Sequence, residues 1–296
     1  MTLSLPSRAV ANKLRRGLLM PIQWPVLISL IILGVIGFYF FYPWIENFFV
    51  FFPDRAHEFS PKTMHLDYED VYFKTEDNKT LHGWFFPGTA ASPVLIFFHG
   101  NAGNISHRLD NVTRLLEQGF GVFIFDYRGY GKSTGRPSEP GIYRDGLAAY
   151  DYLEGKKKVP PEQIILFGRS LGAAVAVEVA LKRRVRALIM ESAFTSTKDM
   201  AKTMPLFALL SPLLPTNYNN MEKVGRITVP KLIIHGDQDD IVPYAMGQKL
   251  FQAAKSPKFF YLLPNAGHND TYVVGGPAYF QTLSDFAKNL KIGPSS

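Results

Sequence analysis

Ser170 stands in the one setting of this chain that prepares a hydroxyl for attack. It lies in Gly168-Arg169-Ser170-Leu171-Gly172, directly after the apolar run Ile164–Phe167 and ahead of an Ala/Val-rich stretch. Strand, G-x-S-x-G, then helix puts the serine on a strained turn, where Cβ atoms at 168 and 172 would collide with their surroundings. The helix N-terminus behind it favours developing negative charge. A serine hydroxyl is a poor nucleophile until a base takes its proton, so a histidine must reach it. Of the seven histidines, His268 in Pro264-Asn265-Ala266-Gly267-His268-Asn269 is the choice, because this loop follows the last apolar run. His57, His65 and His82 precede the core strands and are expected at the surface. His99 and His235 end apolar runs in His-Gly pairs and are expected to brace turns, and His107 opens a helix.

The histidine needs an acid to set its tautomer and stabilise the imidazolium. Three aspartates follow Leu232-Ile233-Ile234 in His235-Gly236-Asp237-Gln238-Asp239-Asp240-Ile241-Val242-Pro243. Asp239 occupies the fifth position of H-G-x-x-D-x-x-V-P, where the loop has turned back toward the site. Asp237 is expected to hold the turn and Asp240 to face outward. A tetrahedral intermediate also needs donors for its oxyanion. The N–H of Leu171 supplies one. The loop His99-Gly100-Asn101-Ala102-Gly103-Asn104 is expected to supply another through the N–H of Asn101.

Positioning these groups falls to a repeated pattern of short apolar run, turn and helix-like stretch. The runs are Val94–Phe98, Val122–Phe125, Ile164–Phe167, Ala187–Met190, Leu232–Ile234 and Phe259–Leu263, preceded by a hairpin over Asp67–Phe73 and Leu81–Phe86. Continuous apolarity marks strands buried on both faces, so the reading is an α/β domain over residues 61–292 with a mostly parallel sheet between helices. Helices are expected near Ile105–Gln118, Gly141–Leu153, Ala173–Lys182, Ala245–Ala254 and Pro277–Leu290. Residues 195–226, rich in Met and Leu, are too long for a plain connection and read as a small cap. That cap would pack on the domain, line an acyl pocket or touch a bilayer.

The domain follows a basic tail (residues 1–20), a transmembrane helix (21–45) and a linker (46–60). No charge occurs from Gly17 to Ile45, and about 20 apolar residues cross the hydrocarbon of a bilayer. Arg8, Lys13, Arg15 and Arg16 precede this segment, whereas Glu46, Asp54 and Glu58 follow it, so the N-terminus is expected in the cytoplasm and the domain outside it. Those four cations also carry most of the net charge of +7. With no basic stripe interleaved with aromatics elsewhere, a nucleic-acid partner is not expected. The chain has 296 residues and no cysteine, which removes disulfides and thiolate nucleophiles. Gly131-Lys132-Ser133-Thr134 lacks the earlier glycine of a phosphate loop, since Asp126 stands there. It reads as part of a loop supporting the oxyanion side. No metal-ligand cluster is apparent, and neither a metal nor a cofactor is expected.

Together the H-G-N-A-G-N loop, Asp126-Tyr127-Arg128-Gly129-Tyr130-Gly131-Lys132-Ser133, G-R-S-L-G and H-G-x-x-D-x-x-V-P resemble the serine hydrolases of the α/β-hydrolase superfamily. More narrowly they resemble its membrane-associated subgroup, which includes protein depalmitoylases and bacterial membrane-anchored members. The resemblance covers roughly residues 60–290 and implies Ser170 as nucleophile, Asp239 as acid and His268 as base. The expected activity is cleavage of carboxylic esters or thioesters of acyl or lipid-like substrates. A serine peptidase or acyltransferase on the same three residues, and a non-catalytic binding module, are the alternatives. The N-terminal helix differs from the palmitoylated tails of eukaryotic depalmitoylases.

Overall fold

The computed structural model describes residues 24–89 and 91–290. The basic tail at 1–20, the first residues of the expected membrane segment and the domain's last residues lie outside the described residues. Contacts divide the chain into two compact units that meet between Phe49 and Val50.

The first unit holds all but the last residue of helix α1, Trp24–Val50, whose 27 residues are long and apolar enough to cross a membrane. At 1.5 Å per residue it rises about 40 Å, against ~30 Å of hydrocarbon. It runs past residue 45, so the first residues of the expected linker are helical.

In the second unit the chain opens with the two-residue strand β1, Phe52–Pro53, and continues through β2 (Glu69–Lys74), β3 (Thr80–Phe86), β4 (Val94–Phe98) and β5 (Ala102–Gly103). Strands β6 (Gly121–Phe125), β7 (Ile164–Arg169), β8 (Ala187–Glu191), β9 (Lys231–Gly236) and β10 (Lys258–Leu263) follow. Eight of them form one sheet in the order β10-β9-β8-β7-β4-β6-β3-β2, with β1 and β5 paired separately. Strands β2 and β3 form an antiparallel pair, β3 runs antiparallel to β6, and the pairs from β6 to β10 are parallel.

The unbroken apolar runs have a simple cause. Val94, Ile96 and Phe98 of β4 enter one core, and Leu95 and Phe97 enter the other. Strand residues alternate faces, so a strand covered on both sides favours apolar residues throughout. One core is covered by α3 (Glu139–Gly155), α4 (Leu171–Lys182) and α8 (Tyr244–Ala253), the other by α2 (Leu109–Glu117) and α9 (Thr271–Asn289). Phe97 and Phe167 stack at 4.7 Å across β4 and β7 within the second core. Helix α3 begins two residues ahead of the expected Gly141, with Ser138 accepting from Gly141 N–H and a proline in the first turn.

Residues 195–226 form three short α-helices, α5 (Thr197–Thr203), α6 (Pro205–Ala208) and α7 (Asn220–Val224), and one 3-10 turn, Ser211–Leu213, between β8 and β9. Leu206, Leu209 and Leu213 are 78%, 86% and 63% exposed. They project outward, while Tyr218 and Val224 join the core.

His82 corrects the surface expectation for the early histidines. It is fully buried on β3, between Asp70 of β2 at 2.7 Å and Asp126 after β6 at 3.7 Å. β3 has neighbours on both edges, and carboxylates from either side supply the polar partners that water would have given. His57 is half-buried and hydrogen-bonds Asp126 at 2.7 Å.

Candidate active site

Strand β4 is the switch point of the sheet, because the next strand, β6, lies on one side of it and β7 on the other. Crevices open beyond the carboxyl ends of strands at such points. Phe98 at the end of β4 is in register with Gly168 near the end of β7, so the His99–Asn104 loop and Ser170 emerge side by side. A Cβ built on Gly100 would lie 3.9 Å from the Ser170 Cβ.

Ser170 sits between β7 and α4 at φ 52°, ψ −115°. Non-glycine residues rarely hold a positive φ, and such strain persists only where its surroundings enforce it. Here the Ser170 N–H donates to Glu191 O at 2.8 Å. The flanking glycines give the turn its room: a Cβ on Gly168 would come within 2.5 Å of Gly172 O, and one on Gly172 would overlap the Phe98 carbonyl.

His268 reaches this serine from the loop between β10 and α9. Its Nε2 is 3.0 Å from Ser170 Oγ, and its Nδ1 is 2.8 Å from Asp239 Oδ2. All three residues are buried, and the Asp239 side chain is wholly so. Asp239 Oδ1 accepts from Val242 N–H at 2.7 Å and Ile241 N–H at 3.0 Å. Burial pushes the Asp239 carboxyl up, but hydrogen bonding from His235 and His268, the His268 charge and the Val242 N–H outweigh it and hold it well below the usual carboxylate range. Asp239 is therefore a fixed anion facing Nδ1, and the Nδ1–H donates to it. Asp237 accepts from Asn265 N–H at 2.7 Å, while Asp240 is exposed. His235 braces its own turn by donating from Nε2 to Val242 O at 2.9 Å.

Across the crevice, His99 is fully buried, and burial together with the nearby Arg108 charge pulls its pKa down to about 4. The neutral ring donates from Nδ1 to Gly100 O at 2.7 Å. The N–H of Asn101 has no protein acceptor among the described residues. The N–H of Leu171 opens the first turn of α4, where N–H groups lack intrahelical partners.

A sequence profile of the α/β hydrolase fold matches residues 93–218. The Arabidopsis thaliana α/β hydrolase domain-containing protein WAV2 is 34% identical over 78% of this chain and 82% of its own length. The chain belongs to the α/β-hydrolase family. An uncharacterized protein of Mycobacterium tuberculosis is 36% identical to this hydrolase over 88% of the chain and 92% of that protein. An esterase of Pyrococcus furiosus superposes with a TM-score of 0.67 at 25% identity, covering 81% of this chain and 98% of that one.

Sequence reasoning missed the residues that hold His268 in this hydrolase. Arg169, the variable residue of G-x-S-x-G, turns its guanidinium under the His268 loop and donates from Nη2 to His268 O at 2.9 Å. Its Nε pairs with Glu191 Oε1 at 3.1 Å, and Glu191 also accepts from Thr271 at 2.5 Å and from Tyr279. Only the Arg at 169 and the lone Glu ending an apolar run signalled this pair. Among the described residues, two groups offer ligand atoms near enough to share a cation, His57, His82 and Asp126, and Asp54, Glu58 and His107. In the first group both histidines already hydrogen-bond a carboxylate, His57 to Asp126 and His82 to Asp70.

Proposed function

We propose that this α/β-hydrolase is a membrane-anchored serine esterase that cleaves carboxylic esters or thioesters of acyl, lipid-like substrates. The observation that carries the reading is the His268 imidazole, 3.0 Å from Ser170 Oγ on one side and 2.8 Å from Asp239 on the other. Ser170 Oγ attacks the carbonyl carbon as His268 Nε2 takes its proton. Asp239 fixes the tautomer that leaves Nε2 able to accept, and it stabilises the imidazolium. The N–H groups of Asn101 and Leu171 hold the oxyanion of the tetrahedral intermediate. His268 then returns the proton to the departing alcohol or thiol, leaving an acyl ester on Ser170. Water attacks that ester, gives a proton to His268, and the acid product leaves as the proton returns to Ser170. None of these steps draws on a cofactor.

Ester cleavage is the chemistry named for the Pyrococcus furiosus relative, which supports this class over the peptidase and acyltransferase alternatives. The anchor is α1, with the N-terminus cytoplasmic and the catalytic domain outside the cytoplasm, following the four cations ahead of it. A fluorophosphonate probe should label the full chain and not Ser170→Ala; equal labelling of both defeats the esterase reading. Protease added to intact spheroplasts should cut the domain, and complete protection would reverse the orientation.

A further inference from the structure

We infer that the segment leaving the membrane-length helix, Val50–His57, is a positioning element of the oxyanion site and acts through Asn101; this rests on the assignment of the Asn101 N–H as an oxyanion donor. The motif accounts for that N–H alone, yet the side-chain NH₂ and the main-chain carbonyl of Asn101 are also held. Its side-chain Nδ2 donates to Val50 O at 3.1 Å, and its carbonyl accepts from Phe52 N–H at 3.0 Å and from the Tyr130 hydroxyl at 2.6 Å. Strands β1 and β5 run parallel, with Phe52 opposite Ala102 and Pro53 opposite Gly103. Phe52 and Asp54 are the donors of this ladder, to Asn101 and Gly103. Pro53, with no N–H, falls on the side where none is needed.

The consequence for the site is geometric. Gly100 precedes Asn101, and a glycine restrains the adjoining peptide weakly. His99 Nδ1 holds the Gly100 carbonyl of that peptide at 2.7 Å, but without bonds at Asn101 the other end could still tilt its N–H away from Ser170. Bonds on both the side chain and the carbonyl of Asn101 pin its Cα and the following peptide, which together with the His99 bond to Gly100 O narrows the directions open to the N–H. The remaining contacts tie the segment to the loop that bears Tyr130: Gly131 N–H donates to Asp54 O at 2.8 Å, Arg55 donates to Ser133 O at 2.7 Å, and His57 bonds Asp126 at 2.7 Å. Asn104 Nδ2 adds a bond to Ala56 O at 2.5 Å. The segment that starts where the apolar helix stops is thus bonded to both loops beside the serine.

The test removes one N–H. Phe52 is half exposed, so Phe52→Pro and Phe52→Ala lose the same ring and differ at the bond to Asn101 O. Both are made in the full chain in detergent, with kcat and KM measured on p-nitrophenyl butyrate, Ki for a trifluoromethyl ketone and the melting temperature. A donor displaced by about 1 Å can cost ~10²-fold, so the proline variant should fall tenfold to a hundredfold (roughly) below the alanine variant in kcat, with KM held. The ketone should weaken in parallel with kcat/KM, because it resembles the transition state; a role confined to stability would not move it. Equal kcat and equal Ki in the two variants overturn the inference. Should the proline variant melt early, Asn101→Ala takes its place, keeping the N–H and losing the side-chain bond to Val50 O: lowered kcat with weakened ketone binding supports the inference, and wild-type values overturn it. A wild-type chain that neither labels with fluorophosphonate nor turns over ester removes the catalytic assignment and this inference with it, whereas normal wild-type labelling beside indifferent variants overturns this inference alone.

Discussion

Replacing Asp239 by asparagine exchanges one oxygen for an amide nitrogen, and the surrounding bonds dictate which way the new side chain turns. Asp239 Oδ1 accepts two backbone N–H groups, from Ile241 at 3.0 Å and Val242 at 2.7 Å. The asparagine oxygen must take that place, since an NH₂ there would face two donors. The NH₂ then points at His268 Nδ1, now 2.8 Å from Asp239 Oδ2. A donor at that position makes Nδ1 the acceptor and moves the ring proton to Nε2, the atom 3.0 Å from Ser170 Oγ. A base already carrying a proton on Nε2 cannot accept another from the serine. The same change in a serine protease costs ~10⁴ in kcat, or about 5.4 kcal/mol of barrier. Asp239→Asn should therefore lose three to four orders of magnitude (roughly) in p-nitrophenyl ester turnover, with KM and melting temperature close to wild type. Retention of more than about a tenth of wild-type kcat, a loss of ~1.4 kcal/mol or less, would refute the tautomer argument, as would a rate loss matched by unfolding.

Arg169→Met strands Glu191 in the core without its cation. Breaking one side of a buried pair costs ~3–5 kcal/mol, so chemical denaturation should report a loss of that order, and freeing the His268 carbonyl should also lower kcat. His99 has a native pKa of about 4, below the ~6.5 of an unfolded histidine. The unfolded chain binds the extra proton between those values, so stability is whole above the upper one and is lost as pH falls toward the lower one. Melting between pH 7 and pH 4 should show a decline on the order of 3 kcal/mol from this residue, and His99→Asn should flatten it; an unchanged slope would discard the assignment. Leu206, Leu209 and Leu213 are largely exposed, so changing all three to serine should shift stability by under about 0.5 kcal/mol each. Calorimetry showing a much larger loss would mean that they pack.

Much of the site was legible because its signals are local. Ser170 is marked by strand, turn and helix within a dozen residues, and Asp239 is separated from Asp237 and Asp240 by its place in one short loop. The sheet was legible because burial on both faces favours apolar runs, and such runs survive in a linear string. His82 was not, because a polar residue on a strand reads as solvent-facing until strands on both sides bring Asp70 and Asp126 to it. Arg169 meets Glu191 through the pairing of β7 with β8, and no pattern in either segment announces the other. The bond from Phe52 to Asn101 spans 49 residues and rests on a strand two residues long, too short to leave a periodicity. The amino-acid order thus determined which groups are candidates for the site and which strands carry them, since both follow from local chemistry and burial. Their orientation was left to tertiary structure, because a hydrogen bond's direction depends on partners that only the closed sheet brings within 3 Å (roughly).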